Sequence, residues 1–138
     1  MARRQIVRIC AENPTMVTIL VVDDEPLIRW ALRETLEGAG YRVLEAGSAC
    51  EAISQISHLD GHSLKVALLD LRLPDSDDFS LLRSVRGHAP GCQIIIMTAH
   101  GTSDILRDAI DQGAFSTISK PFDLSSILGL VQQAERTA

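Results

Sequence analysis

Aromatic side chains are scarce. One tryptophan, one tyrosine and three phenylalanines make up 4% of the 138 residues. So few rings do not make a base-stacking platform for single strands. Lysine is scarcer still, with only Lys65 and Lys120 beside eleven arginines, so each lysine invites a specific role. Positive charge is not in excess: the net charge is -5, which excludes a basic nucleic-acid surface as the main feature. The chain also lacks any apolar run of the roughly 18 residues that a membrane span needs. Arg3, Arg4 and Arg8 open the sequence, but no apolar stretch of signal-peptide length follows them. The cysteines, Cys10, Cys50 and Cys92, are odd in number and show no Cys-x-x-Cys spacing. A disulfide framework and a zinc site are therefore not expected, and reduced thiols point to the cytoplasm.

What is present is a core. Hydrophobic residues reach 46% and charged residues 22%, a balance suited to one packed domain of this length. Residues 1–16 read as an N-terminal extension, with no clear period, a break at Asn13-Pro14, and Met16 as an alternative start. Disorder is the expectation for it, and residues 17–138 are read as the domain. No internal repeat interrupts this domain.

From Thr18 onward, short apolar runs alternate with helical periods. The runs are Ile19–Val22, Tyr41–Leu44, Val66–Leu69, Ile94–Met97 and Phe115–Ile118, mostly continuous, as in strands buried on both faces of a parallel sheet. The fifth is the least apolar and reads as an edge. Pro26 suits a first helical turn, followed by a stripe of Leu27, Ile28, Ala31, Leu32, Thr35 and Leu36. Ser48 with Glu51 is a capping-box spacing ahead of Ala49, Ala52, Ile53 and Ile56. Phe79, Leu81, Leu82 and Val85 mark a third helix. Ile105, Leu106, Ala109 and Ile110 mark a fourth, closed by Gly113. Asp123 is expected to cap a fifth, with Leu124, Ile127, Leu128 and Val131 inward. Five β-α alternations predict an α/β fold: a flavodoxin-like, doubly wound, five-stranded parallel sheet in the order 2-1-3-4-5 with five helices.

In such sheets the functional crevice lies at the carboxyl ends of the strands. The first strand runs into Asp23-Asp24, the third into Asp70, the fourth into Thr98 and the fifth into Lys120-Pro121; Glu45-Ala46-Gly47 at the end of the second is less distinctive. Three carboxylates, a hydroxyl and one of two lysines are thus expected on one edge. Clustered carboxylates need a counter-ion, and hard oxygen ligands suit Mg²⁺. An aspartate can itself be the nucleophile of phosphoryl transfer, a reaction governed mostly by positioning and charge stabilisation.

Val21-Val22-Asp23-Asp24-Glu25, Asp70-Leu71-Arg72-Leu73-Pro74, Met97-Thr98-Ala99-His100 and Lys120-Pro121-Phe122 together resemble the motifs of response-regulator receiver domains of two-component signalling. Glu25–Arg29 and Met97–Gly101 look most like the nitrogen-regulation type, usually fused to an activator ATPase. The resemblance covers about residues 17–135. It implies that Asp70 accepts a phosphoryl group from a histidine kinase or phosphotransfer protein. It implies that Asp24 binds Mg²⁺ directly, with Asp23 as its partner, and that Asp70 and the backbone carbonyl of Arg72 complete the protein's metal ligands. Thr98 corresponds to the hydroxyl that moves to the phosphoryl group, and Lys120 to the family's lysine, with a cis bond to Pro121. The Arg72 and His100 side chains stand where they can modulate water access. The family's activity is that of a signalling switch that catalyses its own Mg²⁺-dependent phosphorylation and dephosphorylation. Its partners are a downstream output domain or protein and, in some members, a second copy across the fourth helix, fifth strand and fifth helix. Direct nucleic-acid or membrane binding by this domain is not expected.

Two positions depart from the pattern. The switch position three residues before the lysine is usually Tyr or Phe and is Thr117 here; Phe115 is expected on the same sheet face by alternation. Asp78 replaces a usual Gly, and with Asp75 and Asp77 it makes the loop after Asp70 strongly negative. These departures leave room for an atypical receiver that acts as a phosphorylation-independent interaction module. A dehalogenase-type phosphohydrolase fits less well, because it needs a second aspartate where Arg72 stands. His58, His62 and His88 are expected at the surface, and Trp30 as a partly exposed contact.

Overall fold

The computed structural model describes residues 16–138; the extension falls almost wholly outside them. The strands are β1 (Thr18–Val22), β2 (Arg42–Ala46), β3 (Leu64–Asp70), β4 (Gln93–Thr98) and β5 (Ser116–Ser119). The helices are α1 (Pro26–Gly38), α2 (Ala49–Ile56), α3 (Ser80–His88), α4 (Ser103–Asp111) and α5 (Leu124–Thr137). All strand pairs are parallel and the sheet order is β2-β1-β3-β4-β5. This is the expected 2-1-3-4-5 arrangement, with β2 and β5 as its edges.

Burial follows from that order. Ile19, Leu20, Val21 and Val22 of central β1 are wholly inaccessible, as are Val66, Ala67 and Leu68 of β3. Side chains alternate between two cores. Leu20, Val22, Ala67, Leu69, Ile94 and Ile96 pack with Leu81, Leu82 and Val85 of α3 and the α2 residues Ala52 and Ile56. Ile19, Val21, Val66, Leu68, Ile95 and Met97 pack with Leu32 and Leu36 of α1 and Ile127 and Val131 of α5. Helices on both faces make continuous apolar strands the stable choice.

Several expectations are corrected. Leu27 is 80% exposed, because α1 turns only the Ile28–Leu32–Leu36 row toward the sheet and its first turn faces a cleft beside Pro121 and Leu124. Ile53, Leu106, Ile110 and Leu124 are also exposed, while α4 buries only Ala109. Asp123 occupies the position before α5, but its side chain makes no capping bond; its carbonyl accepts from the Ser126 and Ile127 amides instead. Phe115 precedes β5 and packs with the α1/α5 core. Thr117 pairs in register with Ile96 and therefore faces the α2/α3 side, so the two residues do not share a face. His88 is half-buried, with Nε2 at 3.1 Å from the Leu59 carbonyl oxygen, whereas His58 and His62 are exposed.

The start signals otherwise hold. Pro26 opens α1, and the Ser48 hydroxyl accepts from the Glu51 amide at 3.1 Å. Glu51 returns a bond to the Gly47 amide at 2.6 Å, one residue earlier than the standard box. Gly113 ends α4 with φ +105°, a conformation that favours glycine, and its missing Cβ admits the Arg86 side chain, which donates to its carbonyl at 2.7 Å.

One bond ties the two ends of the α1/α5 layer. The Tyr41 hydroxyl donates to Glu135 Oε1 at 2.6 Å. Burial, then the hydrogen bond and charge of Glu135, push the phenol up to about 12. The neutral phenol is thus favoured by folding. Its stabilisation is complete below the ordinary tyrosine pKa near 10 and is lost as pH rises to about 12. Tyr41→Phe is expected to cost about 1 kcal/mol at pH 7 in urea denaturation. The gap between the two proteins should close above pH ~10. A gap that stays unchanged as pH rises from about 10 to about 12 would assign the cost to packing.

Candidate functional site

Each chemistry-bearing residue sits where a strand ends. Asp23 follows β1 and donates its amide to the Ala46 carbonyl at the end of β2 at 3.1 Å. Asp70 closes β3 opposite Met97, whose carbonyl accepts from the Leu71 amide at 3.0 Å. Thr98 closes β4 and accepts the Lys120 amide at 2.7 Å on its own carbonyl. These sheet-edge bonds fix the spacing of backbones whose side chains would otherwise repel.

Asp23, Asp24 and Asp70 each offer a carboxylate oxygen within 4.8 Å of the others. Asp23 is fully buried, Asp70 almost so, and Asp24 exposed. Lys120 joins the first two: its Nζ donates to Asp23 Oδ2 at 2.6 Å and to Asp70 Oδ2 at 3.1 Å. Glu25 adds a third, longer contact at 3.5 Å. The other Asp23 oxygen accepts the Glu25 amide at 2.9 Å, and the other Asp70 oxygen accepts the Arg72 amide at 3.1 Å. Asp24 has no hydrogen bond or ion pair to its carboxylate among the described residues.

Burial pushes the Asp70 carboxyl above its ordinary range. The Arg72 amide and Lys120 pull it down, and the Asp23 charge pushes it up again. Burial alone would lower Lys120, but hydrogen bonds and charge from Asp23 and Asp70 outweigh it and raise the ammonium. Asp70 is therefore a reluctant anion held beside a firm cation.

The remaining expected residues divide. Thr98 is buried and its hydroxyl accepts the His100 amide at 3.1 Å, with no bond to Asp70 in this state. His100 thus engages the site through its backbone, and its side chain is exposed. The Arg72 side chain is exposed, and its carbonyl takes no hydrogen bond among the described residues. The Lys120–Pro121 bond is cis. Thr117 stays one residue into β5 from its start, half-buried.

Sequence reasoning missed the supporting residues. Asp75 accepts the Ala49 and Cys50 amides at 2.8 and 2.9 Å, capping α2 from the β3–α3 loop. Those bonds hold its carboxyl below the usual range. The negative loop was visible in the sequence, but partners 25 and 26 residues away leave no local signal. Asp78 accepts the Ser80 amide at 2.9 Å at the start of α3. Glu25 and Arg29 also border the site, Glu25 beside the Lys120 ammonium and Arg29 on the Asp23 carbonyl.

The arrangement supplies a hard-oxygen cage open to solvent at Asp24 and an ammonium on its buried side, which suits a divalent cation and a phosphoryl group. Comparison with known proteins agrees. The family model described as response regulator receiver domain matches residues 19–132. The DNA-binding transcriptional regulator NtrC of Escherichia coli K12 is 35% identical over 116 residues, 84% of this chain and 24% of that protein. The sporulation initiation phosphotransferase F of Bacillus subtilis is 30% identical over 115 residues, covering 83% of this chain and 90% of that protein. The chain thus spans about a quarter of the length of its NtrC relatives and nearly the whole of the Bacillus protein. A CheY-like receiver domain from Methanospirillum hungatei superposes with a TM-score of 0.81 at 27% identity, over 88% of this chain and 95% of that one. Sheet order, acid cluster and sequence kinship converge: the chain belongs to the receiver domains of two-component response regulators, signalling switches among which NtrC is a homologue.

Proposed function

We propose that Asp70 is the phosphoacceptor of this receiver and that a histidine kinase or phosphotransfer protein is the donor. The observation that carries this is the meeting of three carboxylates within 4.8 Å with Lys120 bonded to two of them. An Oδ of Asp70 attacks the phosphorus of a phosphohistidine. The P–N bond breaks as the acyl O–P bond forms, and the departing imidazole takes up a proton. Lys120 and the Thr98 hydroxyl are the groups that receive the new phosphoryl oxygens. Thr98 exchanges its His100 amide for that role. The Arg72 and His100 side chains flank the mouth, where hydrolytic water enters.

The cage fits Mg²⁺. Asp24 and Asp70 offer carboxylate oxygens, Arg72 a carbonyl free of other partners, and Asp23 a further carboxylate behind them. Mg²⁺ supplies, when bound, charge neutralisation for the acid cluster and the phosphoryl oxygens.

The switch acts on an output domain or protein, with the α4–β5–α5 side as its contact face and as the face for any homodimer. Leu106 and Ile110 of α4, both more than two-fifths exposed, support this. Thr117 on β5 replaces a bulky switch ring there. The free Cys50 and Cys92 support the cytoplasm as its compartment. Residues 17–138 act as the receiver unit, and nothing observed favours the phosphorylation-independent alternative.

Acetyl phosphate with Mg²⁺ is expected to add one phosphoryl group to the wild type by intact mass and none to Asp70→Asn. Equal labelling of both would move the nucleophile elsewhere. Mg²⁺ is expected to raise the melting temperature, by about 1.4 kcal/mol of added stability at ten times its Kd. Asp24→Asn should remove most of that rise, and a full rise in the variant would displace Asp24 from the metal. In metal-free buffer at pH 7, Asp70→Asn should melt above the wild type. A carboxyl held above its ordinary range costs stability once ionised, so the gain should fade as pH falls toward the ordinary Asp range near 4. A lower melting point for the variant at pH 7 would show that the Lys120 contact outweighs burial.

A further inference from the structure

The end of β2 has so far no part in the chemistry. Glu45 and Gly47 nonetheless lie against a single side chain, Arg29 of α1. The Arg29 Nη1 donates to the backbone carbonyl of Asp23 at 2.6 Å. Its Nε lies 3.5 Å from Glu45 Oε1, and both side chains are about three-quarters buried. Glu45 is steadied in turn by Arg33, whose Nη1 donates to Oε2 at 2.9 Å. Gly47 leaves the space: a Cβ built there would stand 3.1 Å from Arg29 Nη1 and 3.7 Å from its Cζ.

The carbonyl so gripped belongs to the Asp23–Asp24 peptide plane. Peptide planarity makes that oxygen a handle on the Asp24 backbone. Asp23 needs no such help, because its amide and both carboxylate oxygens have other partners. Among the described residues the Asp24 carboxylate has no such partner, so its backbone is what the fold can hold in place. The guanidinium also brings a fixed positive charge to the Asp23 carbonyl, balanced by Glu45.

We infer that Arg29 is a positioning residue, anchored by Glu45 and accommodated by Gly47, that holds the Asp23–Asp24 peptide so that Asp24 faces the metal cage. This inference rests on the proposed Mg²⁺ site. Outer partners of this kind typically change metal affinity about 10–100-fold when removed.

The test measures Mg²⁺ affinity of the whole chain by calorimetry, using the metal alone, beside the melting temperature in metal-free buffer. Arg29→Met, which keeps the apolar stem, should weaken Mg²⁺ binding about tenfold. Arg29→Lys, which keeps the charge but not the fork that spans Asp23 and Glu45, should recover part of that loss. Gly47→Val leaves Arg29 in the sequence but crowds the guanidinium, and should weaken binding in the same direction. Phosphorylation by acetyl phosphate should return toward the wild-type rate in all three once Mg²⁺ saturates. Wild-type Mg²⁺ affinity in a folded Arg29→Met or Gly47→Val protein would overturn the inference. So would a loss of melting temperature in both with affinity unchanged, which is the mark of a purely structural contact. Failure of the wild type itself to bind Mg²⁺ would instead overturn the site reading on which the inference stands.

Discussion

The bridge from the Lys120 ammonium to Asp23 and Asp70 is the contact on which the upper edge of the sheet depends. A parallel sheet gathers its strand ends on one side, and here β1 and β3 deliver carboxylates to neighbouring positions. Without a cation their mutual repulsion and burial would oppose the register that the apolar strands demand. Lys120 directly follows β5, two strands removed from β3, so the ion pairs fasten an edge strand to the centre. The weakly apolar β5, with half-buried side chains, gains at its end the anchoring it lacks along its length. The stability of this edge thus draws on the same three charges as the proposed phosphoryl chemistry.

Most of this was legible because it follows from two short rules. Continuous apolar runs between helical stripes gave the sheet, and the strand-end rule placed Asp23, Asp24, Asp70, Thr98 and Lys120 on one edge. What escaped shares one cause: helical periodicity reports which stripe is apolar, not how far the partner surface extends beneath it. Leu27 has the right spacing, but it lies in a first turn that faces a cleft and not the sheet. Phe115 misled for a related reason. Alternation holds only within a strand, and β5 begins one residue later. Asp75, Tyr41 and Arg29 act through partners that periodicity does not see. Two of these contacts end on a backbone amide or carbonyl, where no side-chain pattern marks the acceptor or donor.

The two departures from the family pattern have unequal consequences. Asp78 finds local employment, since its carboxylate takes the Ser80 amide at the entrance to α3, a duty glycine cannot perform. Thr117 has no such compensation. It faces the α2/α3 side of the sheet beside α4, a helix that buries one alanine and is tied to α3 by Arg83 to Gln112 and by Arg86 to the Gly113 carbonyl. Polar tethers at the surface and little apolar burial leave α4 the most lightly held of the five helices.

The Asp75 cap has an effect at the level of anion traffic. A helix start is a natural seat for phosphate, because its free amides and dipole favour negative charge. The α2 start faces the β3–α3 loop that leads away from Asp70, and under the proposed chemistry it would be a second seat for a phosphoryl group. Asp75 already fills that seat with a protein carboxylate bonded to both leading amides. The decoy is closed from within, which leaves the Lys120 ammonium, bonded to Asp23 and Asp70, as the cation inside the acid cluster.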